Sequence, residues 1–194
     1  CAVMYRVNAQ SRVLEETFMR YGVPYRLVGG TRFYQRQEVR DIIAYLRLIH
    51  NPQDNVSLAR IINVPKRGIG QRTLNQLQAQ AKSHGISLYS ALKQVIARED
   101  LSTRVIPVLT GFADLMDKLI VKRHESSLVD LLDEVLKRTR YREYILEKEG
   151  GEERWENILE LKGVVKEYDK LNFKEALATF LEKVSLVSDI DELD

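Results

Sequence analysis

Val64-Pro65-Lys66-Arg67-Gly68-Ile69-Gly70 joins two stretches of apolar periodicity, and its residue types suit one task, the capture of a phosphate by backbone amides. Two glycines around one apolar residue let a tight turn approach a partner closely, while Ile69 plugs the gap between the flanking helices. The helix that follows then presents its N-terminus outward, where free N–H groups and the helix dipole favour an anion. Lys66 and Arg67 add charge there, and Thr73 adds a hydroxyl from the first turn. Such a grip takes the backbone of duplex DNA without reading its bases. The alternative is an ordinary tight helix–helix turn, because Gly-x-Gly alone is a weak signal.

Three further stretches carry candidate chemistry. Tyr5-Arg6-Val7-Asn8-Ala9-Gln10-Ser11-Arg12 follows a β-prone run and precedes a helical stripe, the place where α/β domains present ligand loops. Arg6 and Asn8 are candidates for contact with a single-stranded backbone or its bases; for Asn8 the competing reading is a helix N-cap. Gly29-Gly30-Thr31-Arg32-Phe33-Tyr34-Gln35-Arg36 has the look of a phosphate loop, but the chain contains no Gly-x-x-x-x-Gly-Lys-Ser/Thr and therefore no Walker A site. Gly29 and Gly30 make better sense as a hinge, with Phe33-Tyr34 anchoring the loop on the next helix. Arg36 and Arg40, a turn apart, either form a phosphate-facing stripe or pair with Glu38 and Asp41 in solvent.

Enzymatic and metal chemistry find little support. Asp130, Asp133 and Glu134 resemble a carboxylate cluster, yet Leu128, Leu131, Leu132 and Val135 make them the wet side of an amphipathic helix. The histidines, His50, His84 and His124, show no ligand spacing, and the one cysteine, Cys1, allows neither an internal disulfide nor a Cys-based zinc cluster. No His has a Ser or Cys partner in its context, so no catalytic residue and no metal ligand is assigned.

The elements that must position these residues are mostly helices. Cys1–Arg6 and 25–28 read as strands around a helix with Val13, Leu14, Thr17, Phe18 and Tyr21 on one face, a βαβ-like scrap that cannot close a core alone. Beyond residue 30 the period becomes helical. Val39, Ile42, Ile43, Leu46 and Ile49 form one stripe, Asp54 caps a short helix closed by Pro65, and Thr73, Leu74, Leu77 and Ala81 face inward on the next. Gly85 stops that helix, Ser87 caps another, and further helices are expected over about 103–123, from Ser127 through Arg138, around Trp155 to Tyr168, and from Asn172 with a capping-box-like Glu175. Trp155 is expected in the core. The fold class is thus mainly α, a multi-helix domain of seven or eight helices over about 29–185 containing a helix-hairpin-helix-like turn, preceded by a short βαβ fragment.

Charge divides the chain in the same place. Residues 1–82 hold 13 Lys and Arg, 11 of them Arg, against 5 Asp and Glu, a net +8; the remainder is net −6, giving +2 overall. Arginine's planar fork suits phosphate and stacks on bases, so the first 82 residues are the leading nucleic-acid surface, against the alternative that they merely solvate helix faces. The acidic second half is expected to be scaffold or partner surface. There is no signal-peptide layout and no apolar run long enough for a membrane span, so a cytoplasmic location is expected. Cys1 is not an initiator Met and the acidic 188–194 stretch ends without a cap, so both ends are read as cut from something longer.

In order along the chain, Tyr5-Arg6-x-Asn8-Ala9-Gln10-Ser11-Arg12, then Gly29-Gly30-x-Arg32-Phe33-Tyr34-x-Arg36-x-Glu38, then Arg60-Ile61-Ile62-Asn63-x-Pro65-x-Arg67-Gly68-Ile69-Gly70-x-x-Thr73 resembles the UvrD/Rep/PcrA helicases of superfamily one. Agreement is dense through residue 75, and Leu186-Val187-Ser188-Asp189 also looks like the family. The resemblance implies a piece of a 3′-to-5′ ATP-dependent DNA translocase with two RecA-like motor domains. Residues 1–28 would end the first segment of the second motor domain (2A), 29–188 would be the helical 2B insertion, and 189–194 an acidic connector back to the motor. It further implies single-stranded DNA contact at Arg6 and Asn8, and duplex contact at Arg40, Gly68, Gly70 and Thr73, beside the Lys66 and Arg67 charges. The family usually has Lys at the position of Arg40, so the charge is kept. ATP and magnesium would bind the parent protein outside these residues, leaving no cofactor here. Implied partners are a single-strand/duplex DNA junction, the motor domains of the same chain, and repair or replication proteins. Competing readings are a freestanding helical DNA-binding or protein-docking module and part of a helicase–nuclease subunit.

Overall fold

The computed structural model describes residues 1–6, 8–28 and 31–192. Gly29 and Gly30, the expected hinge, and the last two residues of the acidic connector lie outside the described residues. Ten α-helices lie among those that are described: α1 (Ser11–Arg20), α2 (Gln37–His50), α3 (Asn55–Ile61), α4 (Gln71–His84), α5 (Leu88–Arg98), α6 (Ile106–Lys122), α7 (Leu128–Thr139), α8 (Tyr141–Leu146), α9 (Gly151–Lys166) and α10 (Phe173–Glu192).

α2 is the axis of the molecule. Val39, Ile42, Ile43, Ala44, Tyr45, Leu46, Leu48 and Ile49 are all buried, because α3, α6, α7, α9 and α10 pack around them. A helix apolar on nearly every side belongs inside a domain. Its wet residues, Gln37, Arg40, Arg47 and His50, fall three and seven positions apart and so form a single stripe. The core continues outward through Leu58 and Ile61 of α3, Leu92 of α5, Phe112 of α6, Leu132 of α7, Ile158 of α9 and Phe180 of α10.

The helix starts lie where polar side chains can satisfy their first amides. Asp54 accepts from the Ser57 N–H at 2.9 Å, Ser87 from Ser90 at 3.1 Å, Ser127 from Asp130 at 3.1 Å, and Asn172 from Glu175 at 3.1 Å. Each cap of this kind contributes about 1 kcal/mol. Leu128, Leu131, Leu132 and Val135 bury one face of α7 and leave Asp130 exposed, as expected for an amphipathic helix. Trp155 is only half-buried, under the Arg142 guanidinium at 5.4 Å.

Two expectations are corrected. No strand forms among the described residues; residues 1–5 and 23–28 lack regular structure, and Val3, Met4 and Val28 are exposed. A strand's amides and carbonyls need a lateral partner, and β-prone side chains alone do not supply one. The helix count beyond residue 30 is also higher than expected, because α8 follows α7 directly, with only Arg140 at φ 53° between them.

Short as it is, the N-terminal segment is fastened to the helical body. Ser11, Glu15, Arg36, Glu38 and Asn157 are all buried and joined in one polar cluster. Arg36 donates to Ser11 Oγ and Asn157 Oδ1, both at 2.7 Å, and to the Thr31 carbonyl at 3.1 Å. Ser11 donates to Glu15 at 2.6 Å, and Asn157 to Glu38 at 2.7 Å. Burial pushes the Arg36 pKa down, with Glu15 and Glu38 opposing it. A second cluster adds Arg12 bonded to Glu160 at 2.6 Å and Glu16 at 2.9 Å, and Tyr34 donating to Glu16 at 3.0 Å. For Arg12, burial works against the charge, but Glu160 and Glu16 outweigh it and the pKa is raised.

Candidate nucleic-acid interface

α3 and α4 meet in the turn of residues 62–70, whose shape is set from inside. Ile69 is buried as the plug expected of it. Asn63 Oδ1 accepts from the Arg67 and Ile69 amides at 2.7 and 3.2 Å, which folds the chain back on itself. Gly68 has φ +86°, a conformation that side-chain-bearing residues rarely adopt. Gly70 has an ordinary φ of −82° and nothing within 4 Å of the place a Cβ would take, so no strain or crowding inside the chain requires glycine there. Its bare backbone leaves room for something outside.

Gly70 is also the N-cap of α4 and offers no side-chain acceptor. The amides of Gly68, Gly70, Gln71, Arg72 and Thr73 have no acceptor among the described residues. These are the orphan donors of a helix start, left unsatisfied where Ser, Thr, Asp or Asn would ordinarily cap them. The local charge is likewise reversed from what favours a helix. There is no acidic residue in the first turn of α4, and Arg72 stands there exposed, as does Lys66 just before it. A cation at a helix N-terminus opposes the dipole by about 0.5 kcal/mol, so this arrangement favours an external anion over the isolated fold.

The expected site residues separate into groups. Lys66, Gly68 and Gly70 are exposed on the turn, and Thr73 is buried at its base. Arg40 is exposed on α2 and has no ion-pair partner among the described residues. Glu38 and Asp41 are both taken by other arginines, Arg154 at 3.2 Å and Arg60 at 2.8 Å. Arg36 is buried in the polar cluster, so the two arginines a turn apart do not form one stripe. Arg67 turns inward. Its guanidinium donates to the carbonyls of Ile61, Ile62 and Pro65 at 3.0 to 3.2 Å and to Tyr45 Oη at 2.5 Å, and lies 5.2 Å from the Phe112 ring centre. It frames the turn from within. Tyr45 in turn donates to the Val64 carbonyl, and burial pushes its hydroxyl up to about 12, with Arg67 pulling the other way.

Arg6 is exposed near the N-terminus, with its amide bonded to Gln10 at 3.1 Å. Asn8 opens a 3-10 turn over Asn8–Gln10 that packs on α9; α1 is capped at Gln10 without a side-chain bond, so Asn8 is not its N-cap. Three more arginines stand beside the expected site residues: Arg72, signalled in the sequence as a basic first-turn residue behind a glycine cap, and Arg47 and Arg60, which share a groove with Arg40.

A helical body carrying this turn belongs to a recognised class. The chain is a member of the UvrD-like helicase C-terminal domain family, whose model matches residues 1–193. It is 40% identical over 195 residues to the ATP-dependent DNA helicase PcrA of Bacillus subtilis (strain 168), covering all of this chain and 26% of that protein. It is 43% identical over 198 residues to the ATP-dependent DNA helicase PcrA of Staphylococcus aureus (strain Mu50 / ATCC 700699), again covering all of this chain and 27% of the relative. The chain therefore spans about a quarter of the length of these relatives. Among the described residues no helix is long and apolar enough to cross a membrane.

Proposed function

We propose that this chain is the duplex-gripping 2B unit, with the end of the preceding 2A segment, of a 3′-to-5′ ATP-dependent DNA helicase. One observation carries the reading: the orphan amides from Gly68 to Thr73, at an uncapped helix N-terminus flanked by the exposed cations Lys66 and Arg72. Backbone N–H groups and point charges hold phosphate oxygens without sequence preference, as is needed by a protein that passes along arbitrary DNA. Arg40 adds a further cation, and Arg6 and Asn8 are assigned to the single strand on the motor side.

The chain has no phosphate loop of the Walker A type, and the ATP and magnesium of the parent protein are assigned to its remainder. The work of this unit is binding and positioning. In the parent it turns relative to the motor domains, with the segment containing Gly29 and Gly30 and the stretch on the motor side of α1 as the two candidate pivots, and repair or replication proteins are its wider partners.

Fluorescence anisotropy of the chain with labelled duplexes of unrelated sequence tests the duplex grip. Binding is expected to weaken linearly in a plot of log affinity against log salt. Lys66→Glu with Arg72→Glu should flatten that slope by about two, equally for every duplex, since each neutralised phosphate contributes about 0.9. Unchanged affinity in the double variant would remove the assignment. Distance measurements between labels on this unit and on the motor core, with and without DNA, test the rotation; one fixed distance refutes it.

A further inference from the structure

The middle of the wet stripe of α2 borders a concavity. Arg40 and Arg47, with Ile43 and Ala44 between them, floor an open groove of about 730 Å³ whose walls are α3, through Ser57 and Arg60, and α10, through Ser185, with Gln35 closing one end. Three arginines, Arg40, Arg47 and Arg60, line it. Asp41 neutralises Arg60 at 2.8 Å, but Arg40 and Arg47 have no carboxylate partner among the described residues; Arg47 donates only to Ser185 Oγ, at 3.1 Å. Two unneutralised guanidinium groups in one concavity raise its potential and call for an anion.

The form of the anion follows from the spacing. Seven residues of α-helix separate Arg40 from Arg47, about 10 Å along the axis. One DNA strand advances about 3.4 Å per nucleotide along the duplex axis, and its successive phosphates lie farther apart than that along the strand itself, so the pair reaches about two phosphates of one backbone. One small phosphate would occupy a single arginine fork, whereas two forks at this separation suit a repeating polyanion. Towards the C-terminal end of α2 the charge changes: a smaller hollow of about 300 Å³ is lined by Arg47 and His50 together with the carboxylates Asp54 and Glu182, which offset the cation there. At the other end, Arg60 leads directly into the 62–70 turn, and Tyr45, which touches that turn, lies about 100° around α2 from Ala44 in the groove floor. Turn and groove are neighbouring faces of the same two helices.

We infer that the groove between α3 and α10 is a second phosphate-binding track, in which Arg40 and Arg47 hold a stretch of DNA backbone beyond the part gripped by the 66–73 turn. The inference rests on the duplex reading above. Its residues differ from those of the turn, so the two can fail separately.

Salt titrations of duplex affinity with the full chain provide the test. Arg47→Ala should flatten the log–log slope by about one and Arg40→Ala with Arg47→Ala by about two, leaving the contribution of Lys66 and Arg72 in place. Ser185→Ala removes the α2–α10 bond but no charge, and should keep the wild-type slope. An effect of Arg47 that acted only through packing would appear in Ser185→Ala as well, and that outcome overturns the track. If Lys66→Glu with Arg72→Glu weakens binding while both groove variants keep the wild-type slope, the track is wrong and the duplex grip stands. If the wild-type chain shows no salt-dependent duplex binding, both readings fall. Calorimetry with inorganic pyrophosphate separates a free anion from a DNA backbone. Binding that is lost in Arg47→Ala, together with an unchanged duplex slope, would assign the groove to a small anion and overturn the inference.

Discussion

Arg67 and Lys66 are adjacent basic residues on one turn, yet they should fail in different ways. Arg67→Ala removes a guanidinium that bonds three carbonyls and the Tyr45 hydroxyl and stacks on Phe112. The three carbonyl bonds share one nitrogen and count together as one strong interaction. A hydrogen bond to a charged group contributes about 1.5 to 3 kcal/mol and the ring contact about 0.5 to 1 kcal/mol. With partial relaxation of the turn, a loss of about 3 kcal/mol is expected, roughly a hundredfold in the folding equilibrium. Urea unfolding followed by far-ultraviolet circular dichroism should show a lower midpoint with an unchanged m value. Arg67→Lys keeps the charge but not the fork, and should recover little of the loss. Lys66→Ala, on an exposed side chain, should stay within about 0.5 kcal/mol of wild type. Duplex binding should show the reverse: Lys66→Ala flattens the salt slope by about one, and Arg67→Ala lowers affinity through a loosened turn while keeping the slope. If Arg67→Ala instead left stability unchanged and flattened the slope, its guanidinium would face DNA and the internal frame would be refuted.

Two further predictions concern buried polar groups. Tyr45 should ionise near 12, above the ordinary 10; because the folded state holds the proton more tightly, its stabilising contribution is complete below pH 10 and is lost as pH rises through about 12. A phenolate absorbance titration, with Tyr45→Phe identifying the contribution, checks this; a transition at 10 in the folded protein would contradict the burial that raises it. Arg36→Leu strips the buried cluster of its cation, leaves Ser11 and Asn157 short of a partner, and removes the charge that attracts Glu15 and Glu38. A loss of about 3 to 5 kcal/mol is expected, with amide exchange accelerating first in α1; unaltered protection of α1 would show that other contacts hold it.

The parts of this fold that were legible in the sequence are those set by neighbours along the chain. The stripe from Val39 to Ile49, the caps at Asp54, Ser87 and Asn172, and the Ile69 plug all depend on residues within a few positions of one another. α8 escaped because six residues give less than two turns of periodicity. The N-terminal segments had β-prone composition, but a strand is a property of a pair, and composition cannot supply the partner. The same limit divides the site. Gly68, Gly70 and Lys66 read directly from the turn, whereas the inward course of Arg67 depends on Tyr45 and Phe112, which lie far away in the chain. The groove depends on Ser185 of α10, 138 positions from Arg47, so nothing near Arg47 in the chain groups it with Arg40 and Arg60. Part of the acidity of the second half is likewise used internally: Glu160 binds Arg12, Asp133 binds Lys162, and Glu134 binds Arg138.

The proposed rotation must contend with the polar clusters that tie α1 to α2 and α9. A free hinge would leave the two sides in contact through few groups, yet Arg36 alone joins Ser11 of α1 to Asn157 of α9 through bonds of 2.7 Å, inside a buried cluster. Separating them exposes charges that have lost their partners, and until water enters each such group costs several kcal/mol. Intermediate angles, in which the bonds are broken but solvent is still excluded, are therefore the least stable. The pivot that fits this arrangement lies on the motor side of α1, so that α1 moves with the helical body; a pivot between α1 and α2 would have to break the whole cluster at once. Arg36→Leu distinguishes them in the parent helicase. With the pivot on the motor side, the distances between motor core and helical body should keep their wild-type distribution. With the pivot at residues 29–30, loss of the cluster should broaden it.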